Sequence, residues 1–201
     1  MSPCFNKALI ALLALLLTAG CAGVRTSYSG GDSAGQQAVK LPRSYDNALV
    51  LMQSGDYPAA IPVLEAFIDK HPELAGPQLN LGIAYHLTGQ DDAAVETLNH
   101  ALQLNPSNPA TWHQLAIIYR TRGDFGAALD AYRKALELDP DYALAHRNIG
   151  ILYDLYLQKP GQALQHYRKY LALEGGEDKT VSRWITDLER RSGNAQAKVT
   201  Q

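Results

Sequence analysis

Cysteine is scarce in this chain: the 201 residues contain only Cys4 and Cys21, and no CxxC pair occurs. A fold held together by several disulfides is therefore excluded, and so is a zinc or redox site built on paired cysteines. The chain is long enough to be stabilised by a sizeable buried core instead.

An excess of one charge is also absent. The 18 basic and 20 acidic side chains nearly balance, and no basic run or patch occurs. Nucleic acid is therefore not an expected partner, because its binding depends on clustered positive charge.

Motifs of catalysis and ligand binding are missing as well. The chain contains no HExxH, GxSxG, GxGxxG or phosphate-binding glycine loop, and its six histidines are scattered along the sequence. These motifs mark the common metal, nucleophile and nucleotide sites. The sequence therefore predicts neither an enzyme nor a bound cofactor or metal ion.

The N-terminus has the features of an export signal. Lys7 is followed by the uncharged run ALIALLALLLTAG, which ends directly at Cys21. This run is too short for a membrane-spanning helix, which needs roughly 20 apolar residues. The small residues Ala19 and Gly20 before the cysteine resemble the lipobox of bacterial lipoproteins.

The lipobox resemblance implies that residues 1–20 are a removed signal peptide and that Cys21 is lipidated. An ordinary secretory signal, with Cys21 a bystander, is the alternative. Residues 22–40 are polar and rich in Gly and Ser, so 21–40 should be a lipidated cysteine with a flexible tether that reaches roughly 20–25 Å. The protein would then be lipid-anchored in the bacterial cell envelope. Ala22 after the cysteine favours the outer membrane, facing the periplasm.

A 34-residue period runs through the rest of the chain. The segments GDYPAAIPVLEAFIDKHP, GQDDAAVETLNHALQLNP and GDFGAALDAYRKALELDP follow one another at this spacing. Such a period is typical of a stacked repeat array, in which no unit can bury its apolar face without its neighbours. The recurring positions are Gly55, Gly89 and Gly123; Ala60, Ala94 and Ala128; and Pro72, Pro106 and Pro140.

Each period predicts a pair of helices. The glycine ends the first helix, because it easily adopts the left-handed C-terminal cap, and the proline ends the second helix. Gly82, Ala116 and Gly150 are small where the paired helices should cross, which allows a close approach. The predicted pairs are 44–54 with 57–70, 76–88 with 91–104, and 109–122 with 125–138.

These units resemble the tetratricopeptide repeat family. The resemblance implies an all-α, right-handed α-solenoid of about four helix-turn-helix repeats, at 41–74, 75–108, 109–142 and 143–177. The third unit fits the family pattern nearly throughout, with Trp112, Leu115, Ala116, Tyr119, Gly123, Ala128, Tyr132, Ala135 and Pro140.

The last part of the chain departs from the pattern. The fourth repeat carries one extra residue around 157–160 and lacks the glycine between its helices. Residues 178–191 are predicted to form a helix that caps the open end of the solenoid, with an amphipathic docking helix as the alternative. Residues 192–201 should be a frayed tail. The apolar face of the capping helix is Val181, Trp184, Ile185 and Leu188.

The family geometry places the first helix of each repeat on the concave side of the solenoid. The resemblance therefore implies a groove with an aliphatic stripe and a few cations, which suits an amphipathic or extended peptide with acidic groups. The alternative is that neighbouring helices cover the stripe, which then belongs to the core. The stripe is Leu49, Ile83, Ile117 and Ile151; the cations are His86, His113, Arg120 and Arg147; Tyr45, Met52, Leu79 and Asp154 complete the groove.

The resemblance implies a scaffold for protein–protein interaction. A clamp for a C-terminal carboxylate, found in one subgroup of the family, is not expected, because only Asn80 matches it. The expected partner is another envelope protein, held while a pilus or secretion machine is assembled. The alternatives are an adaptor for a periplasmic protease or cell-wall enzyme, and an obligate structural subunit of an envelope complex.

Overall fold

The structure, a computed structural model, describes residues 43–199 of the chain, and side chains over 44–192. Within this range every regular element is helical and no strand occurs, which confirms the predicted all-α class. The signal peptide, Cys21 and the tether predicted for residues 1–40 lie outside the described residues. The α-helices are α1 (Arg43–Ser54), α2 (Tyr57–Ile68), α3 (Ala75–Leu87), α4 (Asp91–Leu104), α5 (Pro109–Arg122), α6 (Phe125–Leu138), α7 (Ala143–Ile151), α8 (Pro160–Leu173) and α9 (Lys179–Val199).

The helices pack as successive hairpins. The pairs are α1 with α2, α3 with α4, α5 with α6, and α7 with α8, and each pair packs on the next to form a solenoid. Gly55, Gly89 and Gly123 have φ angles of 79°, 79° and 85° in the turns between paired helices. These left-handed conformations confirm the predicted glycine caps.

The paired helices cross at the predicted small residues. A Cβ atom added to Gly82 would lie 2.6 Å from the Leu98 Cγ, and one added to Gly150 would lie 2.5 Å from the Tyr167 ring. Ala116, the corresponding residue of the third repeat, is completely buried. Real Cβ atoms do not come this close to other atoms, so the helix spacing itself requires glycine at two of these crossings.

The extra residue of the fourth repeat lies earlier than predicted. Helix α7 continues as a π-helical turn, Leu152–Tyr156, and such a turn accommodates one additional residue inside a helix. Gln158 follows with a φ angle of 54°. It therefore adopts the left-handed conformation at the place where the first three repeats have glycine.

Helix α9 covers the end of the array, as a capping helix would. Val181 is fully buried and Leu188 is 2% exposed, and both belong to the core cluster of the third and fourth repeats. The Asp178 carboxylate accepts hydrogen bonds from the backbone N–H groups of Thr180 and Val181, at 2.9 and 3.1 Å. The helix extends to Val199, so the tail predicted to fray from residue 192 is helical up to that point.

Replacing Gln158 by glycine should stabilise the fold. A side chain in the left-handed region costs about 1–2 kcal/mol, and glycine removes that cost while losing up to about 1 kcal/mol of backbone entropy. We expect Gln158→Gly to raise the free energy of unfolding by roughly 0.5–1 kcal/mol, measured by chemical denaturation. Gln165→Gly, at an exposed position inside α8, is the control and should lower it by a similar amount. A destabilised Gln158→Gly variant would contradict the assigned turn.

Candidate functional site

The predicted groove residues lie on the first helices of the four repeats. We call this surface the first-helix face, and it is formed by α1, α3, α5 and α7 with its π turn. The stripe residues Leu49, Ile83, Ile117 and Ile151 are half-buried: each packs against a core cluster at its base and keeps part of its side chain exposed. An aliphatic surface therefore recurs at the same place in four successive repeats.

Three of the predicted groove residues belong to the core. Tyr45 and Leu79 are each 6% exposed and His113 is 4% exposed. Tyr45 packs on the Phe67 ring, with centroids 5.0 Å apart, and His113 lies between the rings of Tyr132 and Tyr142. Because neighbouring helices cover these side chains, they support the first-helix face from beneath rather than contact a ligand, which corrects their place in the predicted set.

Hydrogen bonds between successive first helices hold two of these buried groups. The Asn80 amide nitrogen donates to the Tyr45 hydroxyl at 2.7 Å, and the Asn148 amide lies 2.8 Å from the His113 Nε2. In each pair the two residues are 35 positions apart in the sequence. Asn80, the single match to the carboxylate clamp, is thus engaged with the preceding repeat. The equal spacing of the two pairs is the sequence signal that could have revealed them.

The predicted cationic set reduces to two arginines. Burial, together with the charges of Arg147 and Arg120, lowers the pKa of His113 to about 4, although a hydrogen bond with the Leu144 backbone acts to raise it. The imidazole is therefore neutral at pH 7. His86 Nδ1 lies 2.6 Å from the Asp91 carboxylate, so His86 is paired. Arg120 and Arg147 remain, both half-buried.

The remaining two predicted residues flank the stripe. Met52 is half-buried against the first core cluster. The Asp154 side chain is 7% exposed, and its carboxylate pairs with Arg191 of α9 at 3.0 Å. The capping helix therefore neutralises the acid that the fourth repeat places on this face.

Acid should destabilise the protein through His113. Its folded pKa of about 4 is below the ordinary value of 6.5, so the unfolded chain binds the proton more readily between these values. The stabilisation is present above pH 6.5 and is lost as the pH falls toward 4, by up to about 3 kcal/mol. Melting curves from pH 7 to 4.5 should show a smaller loss for His113→Gln than for the parent chain.

The exposed His100 provides the control for that experiment. His100→Gln should keep the parental pH profile. Equal acid sensitivity of the parent chain and His113→Gln would show that His113 is not the group responsible.

The described part of the chain contains a close pair of histidines and no cluster of metal-ligating side chains. No group of three or more His, Cys, Asp or Glu side chains there could hold a metal ion. His146 and His166 form a close pair, with their Nδ1 atoms 3.0 Å apart. The second nitrogen of His146 lies 3.0 Å from the Pro140 carbonyl oxygen, so this pair is satisfied by a hydrogen bond between the rings and one to the backbone.

Between residues 43 and 199, no helix is both long and apolar enough to cross a bilayer.

Family models match the repeats directly. One described as a tetratricopeptide repeat matches residues 51–118, and another described as a TPR repeat matches residues 117–155. Together with the stacked helix hairpins, these matches show that the chain is a tetratricopeptide repeat protein, a class of protein–protein interaction scaffold. No curated protein sequence matches the chain.

Solved structures share the fold at low sequence identity. A MamA protein is 22% identical with a TM-score of 0.64, over 79% of this chain and 85% of that one. The pilF protein of Pseudomonas aeruginosa is 19% identical with a TM-score of 0.69, over 76% of this chain and 68% of that one. Cut9–Hcn1, an APC/C hetero-tetramer, gives 23% identity and a TM-score of 0.65, over 72% of this chain and 29% of that one. At such identities the likeness concerns the fold alone.

Proposed function

We propose that this protein is an envelope scaffold that holds a segment of another protein against its first-helix face. The observation that carries the proposal is the half-buried aliphatic stripe, Leu49, Ile83, Ile117 and Ile151, which continues through all four repeats. A long apolar surface with few polar anchors suits an amphipathic helix or an extended peptide. Assembly of a pilus or secretion machine is the role that we favour for such a scaffold.

The experiment is purification of the full chain from membranes in mild detergent, followed by mass spectrometry of the proteins that accompany it. A scaffold that binds its partner on demand should also be obtained as a soluble monomer once the partner is removed. A protein that remains self-associated or insoluble alone would indicate an obligate structural subunit. A companion that remains bound when the stripe is disrupted would contradict binding at the first-helix face.

The lipid anchor is a separate part of the proposal. Its support is the sequence Ala19–Gly20–Cys21 after the apolar run that follows Lys7. Cleavage before Cys21 would place its thiol at the first position of the mature chain, where a lipid would be attached. Anchoring there would place the repeats in the periplasm, beside envelope partners.

Replacing the cysteine tests the anchor. We expect Cys21→Ser to shift the protein from the membrane fraction to the soluble fraction, since its attachment depends on the acyl chains. Mass spectrometry of the parental N-terminus should show a diacylated or triacylated Cys21. An unmodified Cys21, or a mature chain that starts elsewhere, would show that the protein is not a lipoprotein.

A further inference from the structure

Among the arginines whose side chains the structure describes, Arg120 and Arg147 are the two that are half-buried, and neither has an acidic partner. Neither guanidinium group forms a salt bridge with a carboxylate of residues 44–192. The exposed Arg183 also has no acidic partner, but water solvates it. The paired arginines are Arg122 with Asp91 and Asp92, Arg133 with Asp130, Arg168 with Glu189, Arg190 with Asp187, and Arg191 with Asp154 and Asp187.

Both unpaired arginines are partly removed from water. Their side chains are half-buried, and the Nε atom of each is buried without a hydrogen-bond partner in the described part of the chain. The guanidinium carbon of Arg147 lies 5.8 Å from the centroid of the Tyr170 ring. Desolvated cations are costly unless a counter-charge compensates them. Within the described part of the chain, each arginine lacks such a counter-charge.

The charges of both guanidinium groups act on the same two buried side chains. Both charges act on the buried His113 imidazole, and both act on the Tyr132 hydroxyl, whose pKa burial raises and the arginines lower. The Tyr156 hydroxyl also lies beside Arg120. One anionic group placed here would meet two positive charges and nearby hydroxyl donors.

Asp154 and Asp178, which follow Arg147 along the chain, both have partners of their own. The Asp154 carboxylate pairs with Arg191 at 3.0 Å. The Asp178 carboxylate caps α9 and accepts a hydrogen bond from the Tyr170 hydroxyl at 2.9 Å. The hydrogen bond from the Val181 backbone lowers the pKa of Asp178 most, and the charge of Arg147 lowers it further. The two groups do not form an ion pair. Neither acid therefore forms an ion pair with Arg120 or Arg147.

We propose that Arg120 and Arg147 together bind one Asp or Glu side chain of the segment held on the first-helix face. This inference rests on the proposed function, because it names the chemistry of the same bound segment. Ile117 lies one turn before Arg120 in α5, and Ile151 lies one turn after Arg147 in α7. Apolar surface therefore continues on both sides of the arginines, which favours an internal acidic residue within an aliphatic segment over a chain terminus.

The test begins with selection of ligands from a displayed library of random twelve-residue peptides on the full chain. An enriched peptide is then synthesised with a C-terminal amide, together with twins in which its acidic residue becomes the neutral amide or its C-terminus becomes a free carboxylate. Fluorescence anisotropy gives the dissociation constants. We expect enrichment of Asp or Glu among apolar residues, and a roughly tenfold or greater loss of affinity for the neutral twin.

Variants of the two arginines complete a double-mutant cycle. Arg120→Gln and Arg147→Gln should each lower the affinity for the acidic peptide by about tenfold and change the affinity for the neutral twin little. Arg120→Lys should retain part of the affinity, because lysine keeps the charge but not the forked donors. Arg133→Gln with Arg183→Gln removes two exposed charges and should leave binding unchanged. Circular dichroism melts check that every variant is folded.

The outcomes separate this inference from the proposed function. Peptides that bind through the stripe without any preference for acidic residues would overturn the arginine site and leave the scaffold intact. Binding that requires the free C-terminal carboxylate would overturn the choice of a side chain. Arginine variants that lower the affinities for the acidic peptide and for its neutral twin equally would show that the arginines do not contact the acidic side chain. A selection that enriches no peptide would count against both proposals.

Discussion

Replacing Gly150 by alanine should destabilise the protein by about 1–3 kcal/mol, although alanine is the better helix former by up to about 1 kcal/mol. The added methyl group would lie 2.5 Å from two carbon atoms of the Tyr167 ring. That ring is 1% exposed and lies against the Trp184 ring, with centroids 5.6 Å apart. Because the ring has no room to move away, the paired helices α7 and α8 must separate. A loss of this size should lower the melting temperature by several degrees.

Gly161→Ala provides a control within the same helix pair. Gly161 lies in α8, and a Cβ atom there would meet no other atom within 4 Å. This variant should be as stable as the parent chain or slightly more stable. Ala116→Leu and Ala128→Leu should be destabilising for the same reason as Gly150→Ala, since both alanines are completely buried. If Gly150→Ala melts at or above the parental temperature, the assigned crossing is wrong.

The helix boundaries could be predicted from the sequence because their signals are local. Helices α4, α5 and α6 begin and end at the predicted residues. Each lies between residues that restrict the backbone by themselves: glycine before α4 and α6, and proline at the start of α5. The position of the extra residue in the fourth repeat had no such local signal. It is absorbed in the π turn Leu152–Tyr156, which contains neither glycine nor proline.

The candidate site was only partly predictable, because exposure depends on how successive repeats are stacked. The family spacing gave the positions on the first helices, and the four stripe residues are half-buried there. Tyr45 and His113 are buried beneath neighbouring helices and bond to asparagines one repeat later, Asn80 and Asn148. Asp154, an acid of the fourth repeat, pairs with Arg191 of α9. These contacts join different repeats and α9, so the sequence pattern of a single repeat could not predict them.

Placing aspartate at two stripe positions should abolish binding of a partner while leaving the protein folded. In Ile83→Asp with Ile117→Asp, the carboxylates would face water in the free protein because both positions are half-exposed. A bound apolar segment would remove that water, and burying an unpaired carboxylate costs several kcal/mol. We expect the double variant to lose the partner, or a selected peptide, completely at concentrations that saturate the parent chain.

The matched control places the same charges on the second helices. Leu104 and Leu138 lie at the ends of α4 and α6 and are each 37% exposed. Leu104→Asp with Leu138→Asp therefore adds two carboxylates at the same 34-residue spacing away from the first-helix face, and it should bind as the parent chain does.

Melting separates a free groove from a covered core. Half-burial of each isoleucine contributes about 1 kcal/mol, so the stripe variant should unfold a few degrees lower than the parent chain with unchanged helicity. If Ile83 and Ile117 were instead core residues under a covering helix, the charges would be buried in the free protein as well. Circular dichroism would then show an unfolded chain, and the loss of binding would follow from the loss of the fold. A folded variant that no longer binds, beside a control that binds normally, is the result that places the partner on the stripe.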